Sequence, residues 1–305
     1  MSESRTLRAG LIQLSVRTNA TEDNLARAGR LITEAARRGC RLVVLPEAFA
    51  TGLNLPRSHE LAVPVPGEVT RWLAERARAE GVFLVAGQLE RAGRSVFSAA
   101  VLIDDTGRLL DVYRRTTVYD LESYFISPGD GCRVVDTPLG RIGLVLGYDI
   151  QFPEVVRVLF AQGVELLVCP ALLLRPFAES VHQMVRARAA ENCCYVLFCS
   201  ATGENTLAGL TYMGRSAIVQ GPIGVRSYSN QLRPQEPVLA AADREEGLIT
   251  ADLALDDLRR LQAVNPLAKD FLKTRLCDVL VRAGARRSHG DHDQAPRGTG
   301  PDPLA

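Results

Sequence analysis

The stretch RIGLVLGYDIQFPEVVRVLFAQGVELLVCP, residues 141–170, decides the fold class. Its apolar run at 141–149 predicts a buried strand, and residues 152–162 have the spacing of an amphipathic helix. A second apolar run at 165–170 predicts another strand. Because strands that alternate with helices are typical of α/β proteins, this segment predicts an α/β domain with Gly147 at the end of a strand.

The same alternation continues in both directions along the chain. Strands are predicted at 7–16, 41–46, 82–88, 95–104, 108–115, 195–201, 216–220 and 247–253, and helices at 21–38, 69–80, 177–192 and 255–263, the first with Thr21 as its N-cap. We therefore expect a single α/β domain over 7–285, with its sheets covered by helices. Residues 1–6 are expected to be a flexible N-terminus. Residues 286–305 are rich in Pro, Gly and charge, which predicts a disordered tail.

Composition excludes several classes of protein. The net charge is +1 from 36 basic and 35 acidic residues, so the chain lacks the charge typical of proteins that bind nucleic acid or membranes. No apolar run has the length of a membrane span, and MSESRTLRAG has no signal-peptide core, so a cytoplasmic protein is expected. The seven cysteines include no CxxC pair, and no glycine-rich phosphate motif occurs. We expect neither a metal nor a cofactor.

Three strand ends carry residues that suggest a site. Glu47 follows the apolar run VVLP, Arg115 follows DVYR, and Gly147 interrupts GLVLGYD. Ligands of α/β proteins usually bind at the carboxyl ends of strands. Each residue also has an ordinary structural interpretation: Glu47 as a helix cap, Arg115 as a surface residue and Gly147 as a bend.

Five segments together resemble the nitrilase (carbon–nitrogen hydrolase) superfamily. They are LVVLPEAFATG (42–52), the YRR…E…PGD segment (113–130), GLVLGYDIQFPEVVR (143–157), RARAAENCCYV (186–196) and MGRSAIVQGPIG (213–224). The resemblance implies a four-layer α-β-β-α sandwich that assembles as a homodimer or a larger homo-oligomer. It also implies a small-molecule substrate or ligand, which Arg115 would allow to be anionic.

The resemblance implies a glutamate base, a lysine, a second glutamate and a cysteine nucleophile. The base falls on Glu47 and the second glutamate on Glu122, but the lysine position holds Arg115 and the cysteine position holds Gly147. Glycine has no side chain and cannot be a nucleophile. A guanidinium, with a pKa above ~12, stabilises charge but does not shuttle protons. Further candidates for contact with substrate are Tyr148, whose backbone N–H neighbours the nucleophile position, Tyr124 and Cys169.

Three hypotheses follow. The chain is an enzyme that uses Glu47, Arg115 and Glu122 for non-covalent acid/base chemistry on a small amide, amidine, imine or carboxylate-bearing substrate. Alternatively, it is an inactive pseudoenzyme that acts as a binding or assembly subunit. In the third, a displaced cysteine, Cys169 or Cys199, is the nucleophile of a C–N hydrolase. An open cavity beside Gly147 with Arg115 free would favour the first hypothesis. Arg115 divided between both glutamates, with no cavity, would favour the second.

Overall fold

The computed structural model describes residues 6–221, 237–265, 270, 273 and 274. Its strands are β1 (Thr6–Gln13), β2 (Leu42–Val44), β3 (Phe83–Ala92), β4 (Ser95–Ile103), β5 (Leu109–Arg114), β6 (Val134–Thr137), β7 (Gly140–Leu144), β8 (Leu166–Ala171), β9 (Tyr195–Ser200), β10 (Glu204–Asn205), β11 (Leu210–Thr211), β12 (Ala217–Val219), β13 (Val238–Ala241) and β14 (Gly247–Ala254). The α-helices are α1 (Thr21–Arg37), α2 (Ser58–Leu61), α3 (Glu68–Glu80), α4 (Pro153–Ala161), α5 (Ala178–Asn192) and α6 (Leu255–Val264). Short 3₁₀ turns cover Leu55–Arg57, Asp120–Tyr124, Gly147–Gln151 and Arg175–Phe177.

Two mixed sheets of six strands each form the centre of the protein. The first has the order β14-β1-β2-β3-β4-β5 and the second the order β13-β12-β9-β8-β7-β6. In the first sheet β1, β2 and β3 are parallel, with Val43 opposite Gly10 and Leu84, and the outer pairs are antiparallel. In the second sheet β7, β8 and β9 are parallel and flanked by antiparallel pairs.

Alternating side chains divide the core into three layers of contacts. Val44 of β2 points towards the second sheet, in the same cluster as Leu144 and Val168. Its neighbours Val43 and Leu45 point the other way, onto apolar residues of α1 and α3. The second sheet likewise packs its outer face on α4 and α5. This arrangement confirms the predicted four-layer α-β-β-α sandwich. It also explains why the central strands are apolar throughout, since both faces of each sheet are covered.

Helix ends follow local chemistry that the sequence only partly predicted. Helix α3 ends at Gly81, whose φ of +64° is the left-handed conformation that glycine adopts readily. Helix α1 begins at Thr21, so the prediction of Thr21 as N-cap was wrong: Ala20 is the flanking residue and provides no side-chain cap. Asn24 fixes the start of α1 instead, since its side chain bonds the backbone of Arg17 and Ala50.

The strand predicted at 141–149 is shorter than expected. Strand β7 ends at Leu144, and the chain turns into the 3₁₀ segment at Gly147. The Asp149 carboxylate accepts the backbone N–H of Leu146 at 3.1 Å, which stabilises this turn. The apolar run continues unbroken to residue 146, so hydrophobicity alone does not mark the end of the strand. Strands β6, β10, β11 and β13 were not predicted.

The predicted terminal segments are only partly covered. Residues 1–5 and 275–305 lie outside the described residues, and so does the whole of the tail predicted at 286–305. Thr6, the last residue of the predicted N-terminal segment, begins β1 and pairs with Ala254. Within the described ranges, no helix combines the length and the apolar character needed to cross a bilayer.

Candidate active site

Glu47 is positioned by a close approach between the turn after β2 and strand β3. Gly87 donates its N–H to Pro46 O at 3.1 Å and accepts the N–H of Phe49 at 3.2 Å. A Cβ on Gly87 would lie 2.5 Å from Glu47 Cα, so only glycine allows the two chains to come this close. Ala48 has a φ of +47°, an uncommon conformation for a residue with a side chain. The turn therefore directs Glu47 inward, where it is 5% exposed.

Arg115 lies at the centre of a buried cluster with two carboxylates. It follows β5 directly, and its own N–H bonds Ser98 O at 2.8 Å. Its Nη1 donates to Glu47 Oε1 at 3.0 Å, while its Nη2 pairs with Glu122 Oε2. The Ser98 hydroxyl also donates to Glu47 Oε1, at 2.5 Å. Arg115 is 4% exposed, so this cluster is shielded from solvent.

Burial dominates the electrostatics of the cluster. Loss of solvation raises the pKa of Glu47 and outweighs the opposing effect of Arg115. Burial acts in the opposite sense on Arg115, but the two glutamates outweigh it, and the pKa of Arg115 is raised. The guanidinium thus stays charged. The pKa of the Glu47 carboxyl is thus shifted in the direction that suits a general acid or base.

Gly147 lies against the Glu47 carboxylate. Its φ is +38°, and a Cβ built on it would overlap Glu47 Oε2 and lie 3.4 Å from Glu47 Cδ. The glutamate oxygen therefore fills the space that a side chain at position 147 would need. Glycine permits both the backbone conformation and this contact.

Asp149 holds the Gly147 turn against the end of β5. This fully buried carboxylate accepts Tyr113 Oη at 2.7 Å and both the N–H and Oγ1 of Thr117, at 3.0 and 2.7 Å. Burial raises the pKa of Tyr113 well above its usual value, so this phenol remains a donor. Because Arg115 lies between Tyr113 and Thr117 in the chain, these bonds also fix the backbone position from which the Arg115 side chain extends.

The cavity at this cluster is very small. Its volume is about 10 Å³, and it is lined by Glu47, Ala48, Leu53, Leu89, Ser98, Arg115, Glu122, Ile126 and Leu172. A volume of this size holds about one water molecule. Arg115 Nε faces buried surroundings without a hydrogen-bond partner. A water in this cavity is a fitting partner for such a donor.

The structure brings four of the predicted site residues together: Glu47, Arg115, Glu122 and Gly147. The Tyr148 and Tyr124 side chains do not line the cavity, whereas the buried Cys169 thiol lies beside the backbone of Gly147. The Tyr148 ring packs edge-on against Tyr119 and Phe152, at centroid distances of 5.2 and 5.1 Å. Tyr124 is 81% exposed and does not line the cavity. The roles predicted for Tyr148, Tyr124 and Cys169 stay predictions.

The two cysteines considered as displaced nucleophiles are fully buried. Cys169 belongs to the cluster between the second sheet and α4 and α5, and burial raises the pKa of its thiol well above the usual value. Cys199 lies between the two sheets, where its Sγ is 3.2 Å from both Ile12 O and Val44 O, and burial raises its pKa too. Neither thiol has the exposure or the low pKa of a reactive cysteine.

Sequence reasoning missed Ser98 and Gly87. Ser98 is a polar residue on the inward-facing side of β4, two positions from Ala100 in the run SVFSAAVLID, and that alternation was a usable signal. Gly87 gave no local signal, because its importance depends on its contact with the Glu47 turn. In the ranges that the structure describes, no group of three or more His, Cys, Asp or Glu side chains is arranged to hold a metal ion.

Comparison with known proteins gives the family. The model of the "Carbon-nitrogen hydrolase" family matches residues 8–263. The chain belongs to the carbon–nitrogen hydrolase family. This carbon–nitrogen hydrolase homologue is 31% identical over 269 residues to a protein named "Nitrilase" from Pyrococcus abyssi, covering 87% of this chain and 97% of the relative. It is 32% identical over 272 residues to the "Omega-amidase NIT2" of Homo sapiens, covering 85% and 93%.

Solved structures share the fold of this carbon–nitrogen hydrolase homologue. Nit3 of Saccharomyces cerevisiae, described as a member of branch 10 of the nitrilase superfamily, aligns with a TM-score of 0.76 at 23% identity. The alignment covers 89% of this chain and 97% of Nit3. It bears out the nitrilase-like sandwich as a single domain. The matched residues 8–263 include the whole cluster around Arg115.

Proposed function

We propose that this member of the carbon–nitrogen hydrolase family does not hydrolyse C–N bonds and serves instead as a binding or assembly subunit. The observation that carries this proposal is the division of Arg115 between Glu47 and Glu122, which leaves room for about one water. The Arg115 guanidinium is already paired with both the Glu47 and the Glu122 carboxyl groups. A substrate amide has no space beside them.

Covalent hydrolysis also lacks a nucleophile in this site. By resemblance to the superfamily, position 147 is where the nucleophilic cysteine would stand, and this chain has glycine there. The Glu47 carboxylate occupies the space that the first side-chain atom would take. Arg115 replaces an ammonium with a group that does not release its proton at physiological pH. Burial keeps the Cys169 and Cys199 thiols protonated and out of contact with solvent.

An assembly role agrees with the homodimer or larger homo-oligomer that the resemblance implies. A chain can keep the fold and the surfaces of an enzyme after its active site changes, because fold and site are largely independent. Light scattering on the purified chain, alone and mixed with candidate family enzymes, measures whether it forms such assemblies.

A second candidate function is non-covalent acid/base catalysis at Glu47. Two observations favour it. Glu47 Oε1 accepts the hydrogen bonds from both Ser98 and Arg115, and burial raises the pKa of Glu47. A small amide, amidine or imine would then exchange a proton with Oε2 while Arg115 stabilises negative charge. This function requires Glu122 to move away first, because the cavity in the present arrangement has room for about one water.

The decisive experiment is a substrate panel with an ammonia readout. Purified protein is incubated with aliphatic amides, ω-amides of dicarboxylic acids, nitriles and amidines, in parallel with Glu47→Gln and with a catalytically active family amidase as positive control. We expect no ammonia above background from the wild type. Ammonia release that Glu47→Gln abolishes and that alkylation of the cysteines leaves unchanged would refute the proposal and establish the second candidate function. Ammonia release that alkylation of a cysteine abolishes would restore the displaced-nucleophile hypothesis.

A further inference from the structure

The segment that carries Glu122, residues 118–126, is anchored firmly only at its two ends. We call this segment the strap. Just before it, the N–H of Thr117 bonds the buried Asp149 carboxylate at 3.0 Å. Just after it, the N–H of Ser127 bonds Val96 O on β4 at 2.7 Å. The strap thus bridges two fixed points on the core.

A single polar contact joins the middle of the strap to the rest of the protein. Of the hydrogen bonds that the described part of the chain forms with strap residues, all but one stay within the strap: Glu122 N to Tyr119 O, Phe125 N to Glu122 O, Ile126 N to Glu122 O, and Ser123 Oγ to Asp120 O. The exception is the ion pair of Glu122 with Arg115. Glu122 therefore acts as the latch of the strap.

Little else holds the strap down. Tyr119, Leu121, Tyr124 and Phe125 are 43%, 64%, 81% and 40% exposed, so most of its large apolar side chains make few contacts with the core. Asp120 has a φ of +31°, which is unfavourable for a residue with a side chain. The apolar core includes Val118 and Ile126 at the two ends of the strap, and the Tyr119 ring contacts Tyr148. A segment with so few contacts opens at low cost.

Arg115 makes the site beneath Glu122 selective for a carboxylate ligand. A guanidinium binds carboxylates through parallel N–H···O bonds, and Arg115 already binds one carboxylate that belongs to a poorly anchored segment. Replacing Glu122 by an external monocarboxylate exchanges one negative charge for another and leaves the balance with Glu47 unchanged. A dianion would add charge beside Glu47 and the nearby Asp149. A neutral or cationic ligand would leave Arg115 half-paired.

The walls of the cavity favour an aliphatic chain behind that carboxylate. Apart from the cluster itself, the lining side chains are apolar: Ala48, Leu53, Leu89, Ile126 and Leu172. Burial of methylene groups against such walls contributes to binding in proportion to the area covered. Short aliphatic acids thus match both the charge and the surface of the site.

We propose that Glu122 is an internal ligand on Arg115, and that a short aliphatic monocarboxylate takes its place when the strap opens. The inference rests on the proposed function, since it treats the Arg115 cluster as a binding site that does no chemistry. Binding at Arg115 would also change the protein surface, because displacement of Glu122 releases the strap that carries the exposed aromatic residues Tyr119, Tyr124 and Phe125.

Sodium butyrate is the probe for the binding test. Calorimetric titration of the wild type should give weak binding, because the tethered Glu122 competes at an effective concentration in the millimolar range or above. Glu122→Gln keeps the shape of the side chain but removes its charge, and it should bind butyrate at least tenfold more tightly. Glu60→Gln is the matched control: it breaks the exposed ion pair of Glu60 with Arg57 and should leave the affinity unchanged. Butanol and butyramide at equal ionic strength should not bind comparably.

Limited proteolysis of the wild type tests the strap itself. Chymotrypsin cleaves after aromatic residues, so cleavage after Tyr124 and Phe125 should become several-fold faster with butyrate than with the same concentration of sodium chloride. This measurement needs no variant and holds even if Glu122→Gln fails to fold.

Equal butyrate affinity in folded Glu122→Gln and wild type would overturn the inference, as would strap cleavage that butyrate leaves unchanged or slows. Measuring ammonia release from butyramide distinguishes failure of the proposed function from failure of the latch inference. If ammonia appears, the proposed function fails; if it does not appear and butyrate has no effect, only the latch inference fails.

Discussion

Substitution of Gly147 by alanine tests whether position 147 has any room for a side chain. The added Cβ would overlap Glu47 Oε2 in a residue whose φ is +38°. The left-handed backbone costs about 1–2 kcal/mol for a residue with a side chain. Displacing the carboxylate also disturbs its charged hydrogen bonds to Ser98 and Arg115, and losing such a bond costs about 1.5–3 kcal/mol. We expect Gly147→Ala to lower the free energy of unfolding by about 2.5–5 kcal/mol, the sum of these two costs.

A matched glycine separates the two contributions. Gly81 has a φ of +64°, and a Cβ there would meet nothing within 4 Å, so Gly81→Ala carries the backbone cost alone. Urea unfolding followed by circular dichroism should give about 1–2 kcal/mol for Gly81→Ala. In a Glu47→Ala background, Gly147→Ala should also cost only this smaller amount. If Gly147→Ala and Gly81→Ala agree within about 0.5 kcal/mol in the wild-type background, Glu47 does not fill the space beside Gly147, and the reasoning is refuted.

Three further predictions concern the buried charges and thiols. Arg115→Met should lower the free energy of unfolding by about 3–5 kcal/mol at neutral pH because it leaves buried carboxylates unpaired. The pKa of Glu47 is raised, so the folded state favours the neutral form of this carboxyl. The loss of stability in Arg115→Met should therefore shrink as the pH falls towards the usual pKa of glutamate. An equal loss at every pH would contradict this reasoning. Burial acts to raise the pKa of Glu165, but its bonds with Arg259 and with a backbone N–H outweigh burial and lower it. The resulting stability is present above the usual glutamate pKa and is lost as the pH falls through the lowered value. Glu165→Gln should therefore flatten the acid side of the stability–pH curve, and an unchanged curve would exclude this role. Cys169 should resist aromatic disulfide reagents until the protein unfolds, because burial raises the pKa of its thiol; peptide mapping that finds it labelled at the rate of the unfolded chain would contradict its burial.

The predicted fold was recovered in most elements because its strong signals are local. Strand β9 and helix α5 lie within a residue of their predicted bounds at 195–201 and 177–192, because β9 is an almost unbroken apolar run and α5 buries Val181, Val185 and Ala189 at the four-residue spacing of a helix face. Errors occurred where a distant residue sets the end of an element. The strand at 141–149 was drawn too long because Asp149, held by Tyr113 and Thr117, turns the chain.

The candidate site was predicted in its composition but not in its arrangement. Glu47, Arg115, Glu122 and Gly147 were singled out from segments that resemble the superfamily, and the fold brings them together. The sequence left open whether Arg115 is free or divided between the two glutamates, and the alternation in β4 did not identify Glu47, 51 positions away, as the partner of Ser98. Those contacts depend on the register of β3, β4 and β5 and on the directions of the side chains.

The sequence by itself determined that this chain alternates strands and helices, belongs among the carbon–nitrogen hydrolases and has no side chain at position 147. These properties follow from local patterns and residue identities, which do not depend on how distant parts of the chain pack. Only the tertiary structure decided that the Glu47 carboxylate fills the space beside Gly147, that the cavity has room for about one water, and that Arg115 is divided between Glu47 and Glu122. The physical reason is that a buried charge takes its position from the partners that replace its water, and those partners come from distant parts of the chain.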